Sequence, residues 1–207
     1  MTEAATTARL SDALAFTAEA FRFKRRKGSG VPYLVHLLYV TSLVGEAGGD
    51  EDQLIAALLH DYLEDIPAGT ESELAERFGV RVAQLVVALS DTVVYPKPPW
   101  RERKVGYLQH LLTESEDVKL ISAADKLHNC TSIVRDYRVM GESIFERFTP
   151  DKAGTLWYYR SVVVALGNNW EHWLLDELRT CVMELHRVSG VSMPEGWDQQ
   201  LNLTIPG

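Results

Sequence analysis

An all-α protein with a single domain is what this chain predicts, and three observations predict it. Apolar residues recur at spacings of three and four through most of the 207 residues. No period-two alternation runs longer than a few positions. The breaks between periodic stretches are short and built from Gly, Pro, Asp and Asn, and neither an internal repeat nor a low-complexity tract interrupts them.

Composition narrows the class. A hydrophobic share of 46% and a charged share of 24% describe an ordinary globular protein, long enough for one sizeable core. No apolar run approaches the roughly 20 residues of a membrane span. The start, Met-Thr-Glu-Ala-Ala-Thr-Thr, lacks the basic and apolar pattern of a secretion signal, so a cytoplasmic protein is expected. Cys130 and Cys181 are far apart and neither sits in a Cys-x-x-Cys pair, which predicts two semi-buried thiols rather than a disulfide scaffold or zinc knuckle. The net charge of −8 argues against a general nucleic-acid or anionic-membrane binder. The positive charge is nevertheless concentrated. Arg22, Lys24, Arg25, Arg26 and Lys27 form one group, Lys97, Arg101, Arg103 and Lys104 another. Such groups on an acidic protein suit a compact, highly charged anion, and equally a solvated helix end and loop.

Leu10, Ala13, Leu14, Ala18 and Phe21 predict a helix from Ala4 to about Arg26, stopped by Gly28-Ser29-Gly30. Pro32 opens the next helix, about Tyr33 to Glu46, which carries His36 among Leu37, Val40, Leu43 and Val44. Gly48-Gly49 closes it. Asp50 with Gln53 is a capping-box-like start for a central helix that reaches His60 about three turns later. On a continuous helix His60 and Glu64 would share one face, and Asp61 and Asp65 the adjacent one. Thr70 with Glu73 starts a short helix ending at Phe78-Gly79, and Val80 to Leu89 is a buried one. Pro96, Pro98 and Pro99 turn Asp91 to Trp100 into a surface loop and candidate lid. Arg101 to Leu112, Val118 to about Tyr137, Lys152 to Leu166 and Trp170 to Arg187 complete the helices. Residues 1–187 thus form the domain. Residues 188–207, with Pro194, Gly196 and Pro206, form an irregular tail docked through Trp197 and Leu201.

The central stretch carries the chemistry. Leu54-Ile55-Ala56-Ala57-Leu58-Leu59 runs into His60-Asp61 and then Glu64-Asp65, and burying such groups is costly unless something pairs with them. Val118 to Ala124 leads into Asp125 in the same way. His36, alone on an apolar face, is also what a satisfied core histidine looks like. Two imidazoles and two carboxylates, His36, His60, Asp61 and Asp125, are too hard a set for a thiolate-type metal and suit a six-coordinate divalent ion with room for water. Such an ion would activate water against a phosphate ester, with Glu64 one turn on as proton acceptor or, alternatively, as support for a ligand.

These residues resemble the His…His-Asp…Asp pattern of the HD-domain metal-dependent phosphohydrolases. A more specific likeness is to the hydrolase domain of the RelA/SpoT alarmone enzymes and their small stand-alone relatives. It rests on Arg25 to His36, on Ala57 to Asp65, on Phe78-Gly79 with Val82, and on Ala124-Asp125-Lys126-Leu127-His128-Asn129, and runs over most of residues 8 to 167. The resemblance implies an all-α HD-domain helical bundle and Mn²⁺-dependent removal of pyrophosphate from the 3′ position of ppGpp and pppGpp. It implies that His36, His60, Asp61 and Asp125 hold Mn²⁺, or another divalent ion, and that Glu64 and Asp65 position and deprotonate the attacking water. It implies that Arg26, Lys27 and Asn129 contact the nucleotide, with Lys152 and Tyr159 as further contacts to phosphate and base. Tyr62-Leu63 stands where relatives have Thr-Val, so a different nucleotide such as ppApp or the 2′-phosphate of NADPH stays open, as does a silent nucleotide-binding module. The partner implied is a small nucleotide, not a nucleic acid or membrane, with oligomeric state left open.

Overall fold

A computed structural model describes residues 6–27 and 29–203. Among the described residues ten α-helices and one 3-10 helix carry the chain and no strand is present, so the fold is all-α; an isolated antiparallel bridge pairs Arg25 with Pro32. No helix of the described residues is long and apolar enough to cross a membrane. The helices gather into two compact units. The first holds the described residues up to Arg26 with Gly30–Val94, and the second holds Lys27, Ser29 and the described residues from Tyr95 onward.

The first unit is built on α3 (Glu51–Leu59). The Asp50 carboxylate accepts from Gln53 N–H and the Gln53 side chain accepts from Asp50 N–H, so the expected capping box is present. Ile55, Ala56, Ala57, Leu58 and Leu59 are all fully buried. Each large one contributes about 1.5–3 kcal/mol of apolar burial. Around this rod pack α1 (Ala8–Ala20), α2 (Tyr33–Glu46) and α6 (Val80–Leu89), while α5 (Glu71–Phe78) packs on α6. Arg9 of α1 pairs with Glu51 and Asp52, and Arg81 of α6 pairs with Asp50 at 2.7 Å, so two cations hold the acidic N-terminus of α3.

Two expectations need correction. The first helix ends at Ala20, not near Arg26. Beyond Phe21 the chain turns back, with Tyr33 N–H donating to the Lys24 carbonyl and Arg26 N–H to the Val31 carbonyl, and these hydrogen bonds replace those of a longer helix. Leu14 and Ala18 are exposed while Thr17 is buried. The Ala4 start and Gly28 lie outside the described residues, as does Pro206 of the tail. The central helix also breaks. It stops at Leu59, Asp61 leaves helical geometry at φ −96°, ψ 4°, and a single turn, α4 (Tyr62–Asp65), follows. The continuous faces expected for His60 with Glu64 and for Asp61 with Asp65 are therefore interrupted at the residues that carry the chemistry.

In the second unit the long α8 (Glu116–Met140) packs chiefly on α10 (Trp173–Val188), while α9 (Lys152–Leu166) packs on α7 (Trp100–Leu111), α8 and α10. A 3-10 helix, Gly141–Arg147, follows α8. Ser115 and Asp151 cap the starts of α8 and α9 through their side chains. Val118 to Asp125 is an unbroken buried run, closed at its start by Lys119 Nζ donating to the Asn168 carbonyl at 2.5 Å. Beyond α10 the described chain has no regular structure, and Trp157 Nε1 donates to the Asn202 carbonyl at 2.8 Å. Cys130 and Cys181 are free thiols, the first buried and the second half-buried.

Candidate metal centre

Within the first unit three side chains named from the sequence converge. His36 comes from the buried face of α2, where its neighbours Leu37 and Val40 are fully buried. His60 sits at the end of α3 and Asp61 one residue on, at the break. His60 Nε2 lies 3.2 Å and His36 Nε2 3.7 Å from the same Asp61 Oδ2, and the two rings meet edge to face at 5.2 Å. His60 Nδ1 is 2.8 Å from the Ala57 carbonyl, which can only accept, so Nδ1 carries the proton. With Nδ1 protonated, Nε2 turns either a lone pair or a second proton towards Asp61 Oδ2, and a lone pair at 3.2 Å from a carboxylate oxygen calls for a cation between them. Ligand atoms around an ion at about 2.1 Å are about 3 Å apart. The donor set and its spacing fit such an ion.

Tyr33, which the motif reading did not single out, donates its hydroxyl to the same Asp61 Oδ2 at 2.6 Å. Burial first, then the Asp61 and Asp65 carboxylates and the bond to Asp61, push its phenol well above the ordinary tyrosine value. Glu64 Oε1 accepts from the backbone N–H of Asp91 at 2.7 Å, and Asp65 pairs with Lys24 at 2.8 Å. Arg26 lies over the Tyr33 ring, 5.6 Å from its centroid. Tyr33, Lys24 and Asp91 were missed because each acts by tertiary contact. Tyr33 left a trace, standing three residues and hence about one turn before His36, and Lys24 stood in the basic group, though its pairing with Asp65 was not foreseen.

The remaining named residues belong to the second unit. Lys27 is exposed. Asp125 is buried on α8, where Lys126 Nζ and Asn129 Nδ2 both reach its carboxylate at 2.5 Å. Burial alone would depress the Lys126 ammonium, but Asp125 and the Tyr158 and Tyr107 phenols hold it well above its usual value. Tyr159 is buried, and burial pushes its phenol well up. Lys152 Nζ is held by Glu142 at 2.7 Å and by the Ser189 carbonyl at 2.6 Å.

A family model for the HD domain matches residues 13–150, which takes in most of the first unit and about half of the second. The chain belongs to the HD-domain family. Membership implies a divalent metal ion, which the His36, His60 and Asp61 donors fit. Among curated HD relatives, the guanosine-3′,5′-bis(diphosphate) 3′-pyrophosphohydrolase of Spiroplasma citri is 37% identical over 110 residues, 52% of this chain and 15% of that protein. The enzyme of the same name, MESH1, from Danio rerio is 35% identical over 132 residues, 62% of this chain and 71% of that protein. The chain spans 15 to 22% of the length of the long bacterial relatives it matches. A solved structure of a metazoan SpoT ortholog, described as hydrolysing ppGpp, aligns with a TM-score of 0.70 at 26% identity, over 92% of this chain and all of that one.

Proposed function

We propose that this HD protein is a Mn²⁺-dependent 3′-pyrophosphohydrolase of ppGpp and pppGpp, acting in the cytoplasm on a small nucleotide, with residues 1–187 as its catalytic domain. The observation that carries the reading is the approach of His36 Nε2, at 3.7 Å, and of His60 Nε2, at 3.2 Å, to one oxygen, Asp61 Oδ2, at the broken end of α3. The names of the relatives supply the substrate, and the motif supplies Asp125 as the fourth ligand. When bound, the ion lowers the pKa of its water towards about 7 and offsets charge on the phosphorus oxygens.

The chain's own residues do the rest. Glu64, fixed by Asp91 N–H through one oxygen, takes the proton of the attacking water, and Asp65 orients that water beside it. Arg26 and Lys27 receive the phosphates, where guanidinium and ammonium donors make charge-assisted hydrogen bonds. Asn129 contacts the nucleotide. Tyr159 borders the base, and Lys152 exchanges Glu142 for a phosphate oxygen. The intact Glu64-Asp65 pair favours an enzyme over a silent binding module.

The test is direct. Purified protein with Mn²⁺ should release pyrophosphate from ppGpp, and Asp61→Ala should abolish release while circular dichroism stays that of the wild type. Release undiminished in Asp61→Ala would remove the metal centre from the reaction.

A further inference from the structure

Tyr33 falls within the Arg25 to His36 stretch but has no role in the proposed chemistry, yet side chains of the 21–26 segment, of α2 and of the α3–α4 break meet on it. Its hydroxyl donates to Asp61 Oδ2 at 2.6 Å, the oxygen that faces both histidines. Its ring stacks on Phe21 at 5.6 Å and meets His36 edge to face at 5.4 Å. The other contacts are cations, with Lys24 Nζ 5.1 Å and the Arg26 guanidinium 5.6 Å from the ring centroid. Lys24 continues to Asp65 at 2.8 Å. Backbone hydrogen bonds hold the pair in register, since Tyr33 N–H donates to the Lys24 carbonyl and Arg26 N–H to the Val31 carbonyl.

We infer that Tyr33 is the positioning residue of the centre, its hydroxyl orienting Asp61 for the metal and its ring seating the Lys24–Arg26 arm that receives the anionic substrate. The inference rests on the proposed metal-dependent reading. The physical reason lies in Asp61 itself. Asp61 caps α4 at the break, where its carbonyl accepts from Asp65 N–H, and this backbone bond leaves the direction of the carboxylate to χ1 and χ2. A short hydrogen bond to a phenol anchored by Phe21 and His36 removes that freedom. Partners of this kind change metal affinity by about 10- to 100-fold when removed. The ring acts separately, since cations are attracted to its face whether or not a hydroxyl is present.

Two substitutions divide the two roles. Tyr33→Phe keeps the ring and removes the hydroxyl, whereas Tyr33→Leu removes both. Mn²⁺ alone is the probe, with free ion read by electron paramagnetic resonance during titration of the whole chain. Tyr33→Phe should raise the Mn²⁺ dissociation constant about 10- to 100-fold, with the thermal midpoint of the metal-free protein near wild type. At saturating Mn²⁺ its kcat and KM for ppGpp should return to within a few-fold of wild type, a rescue that a general loss of structure would not show. Tyr33→Leu should in addition raise KM at saturating Mn²⁺. Wild-type Mn²⁺ affinity in Tyr33→Phe, or a kcat that saturating Mn²⁺ does not restore, overturns the role. Asp61→Ala keeps the two readings apart. If it binds Mn²⁺ like the wild type, the metal centre itself is misplaced. If it loses Mn²⁺ while Tyr33→Phe does not, only the inference about Tyr33 fails.

Discussion

The Lys24 ammonium lies 2.8 Å from the Asp65 carboxylate, and the neighbouring Glu64 accepts from the backbone N–H of Asp91 at 2.7 Å. The two carboxylates that follow His60-Asp61 therefore stand in different settings. One is tied to the basic arm, and the other is fixed by a neutral donor. In the proposed reaction Glu64 is the proton acceptor and Asp65 the orienting group.

Glu64→Gln preserves shape and the bond to Asp91 but removes the basic oxygen. It should lower kcat by about 10²- to 10⁴-fold with Mn²⁺ affinity unchanged. Asp65→Asn should lower kcat by less, and combining it with Lys24→Ala should add little, because the two single changes break one pair. Steady-state kinetics of the four variants checks this, and a larger loss in Asp65→Asn than in Glu64→Gln would exchange the two roles.

The capping box of α3 has a pH signature. Burial tends to raise the Asp50 carboxyl, but Gln53 N–H and Arg81 outweigh it and hold it below the ordinary value. A carboxylate whose folded pKa is depressed contributes stability above its unfolded value, near 3.8, and loses it as pH falls through the folded one. Asp50→Ala should therefore lower stability by about 1 kcal/mol at pH 7 and by progressively less below about pH 4. Urea unfolding at both pH values reads the difference.

How far the sequence reached depends on whether a feature is local. The bounds of α2, α6 and α9 agree with the periodicity because Pro32, Gly79 and the Asp151 cap mark their starts in the chain itself. The overrun past Ala20 has a physical cause, since Arg22 to Lys27 are good helix formers. What ends the helix is hydrogen bonding to residues 31–33, which local propensity does not register. The break at Asp61 is of the same kind. Nothing in His60-Asp61-Tyr62 forbids helix; the chain leaves it where the Asp61 carboxylate meets Tyr33 and His60. The histidines and carboxylates were legible as polar intrusions in apolar runs. Their supports Tyr33, Lys24, Asp91 and Lys126 were not, because such residue types are common at surfaces and become informative only by what they touch.

Lys126 offers a stability test in the second unit. It shares a largely buried pair with Asp125, with side-chain exposures of 13% and 7%. Lys126→Met keeps the length but leaves the carboxylate without its ammonium. In EDTA it should destabilise the protein by about 3 kcal/mol. A thermal midpoint equal to wild type would show that the pair contributes nothing.

The core of the first unit makes a simpler demand. Leu58 is fully buried on α3. Leu58→Ala removes buried methyl groups and leaves a cavity, so unfolding in urea should show a loss of about 2–5 kcal/mol. A loss under about 1 kcal/mol would mean that α3 is not the rod on which the unit is built.

The central claim is the bond that is cleaved, and product analysis reads it. Mn²⁺-loaded protein is incubated in parallel with ppGpp, ppApp and NADPH, and the phosphorus products are resolved by ³¹P magnetic resonance. The account predicts pyrophosphate together with GDP from ppGpp, with kcat/KM highest for that substrate. Orthophosphate in place of pyrophosphate, or turnover of NADPH or ppApp with ppGpp left intact, would contradict it.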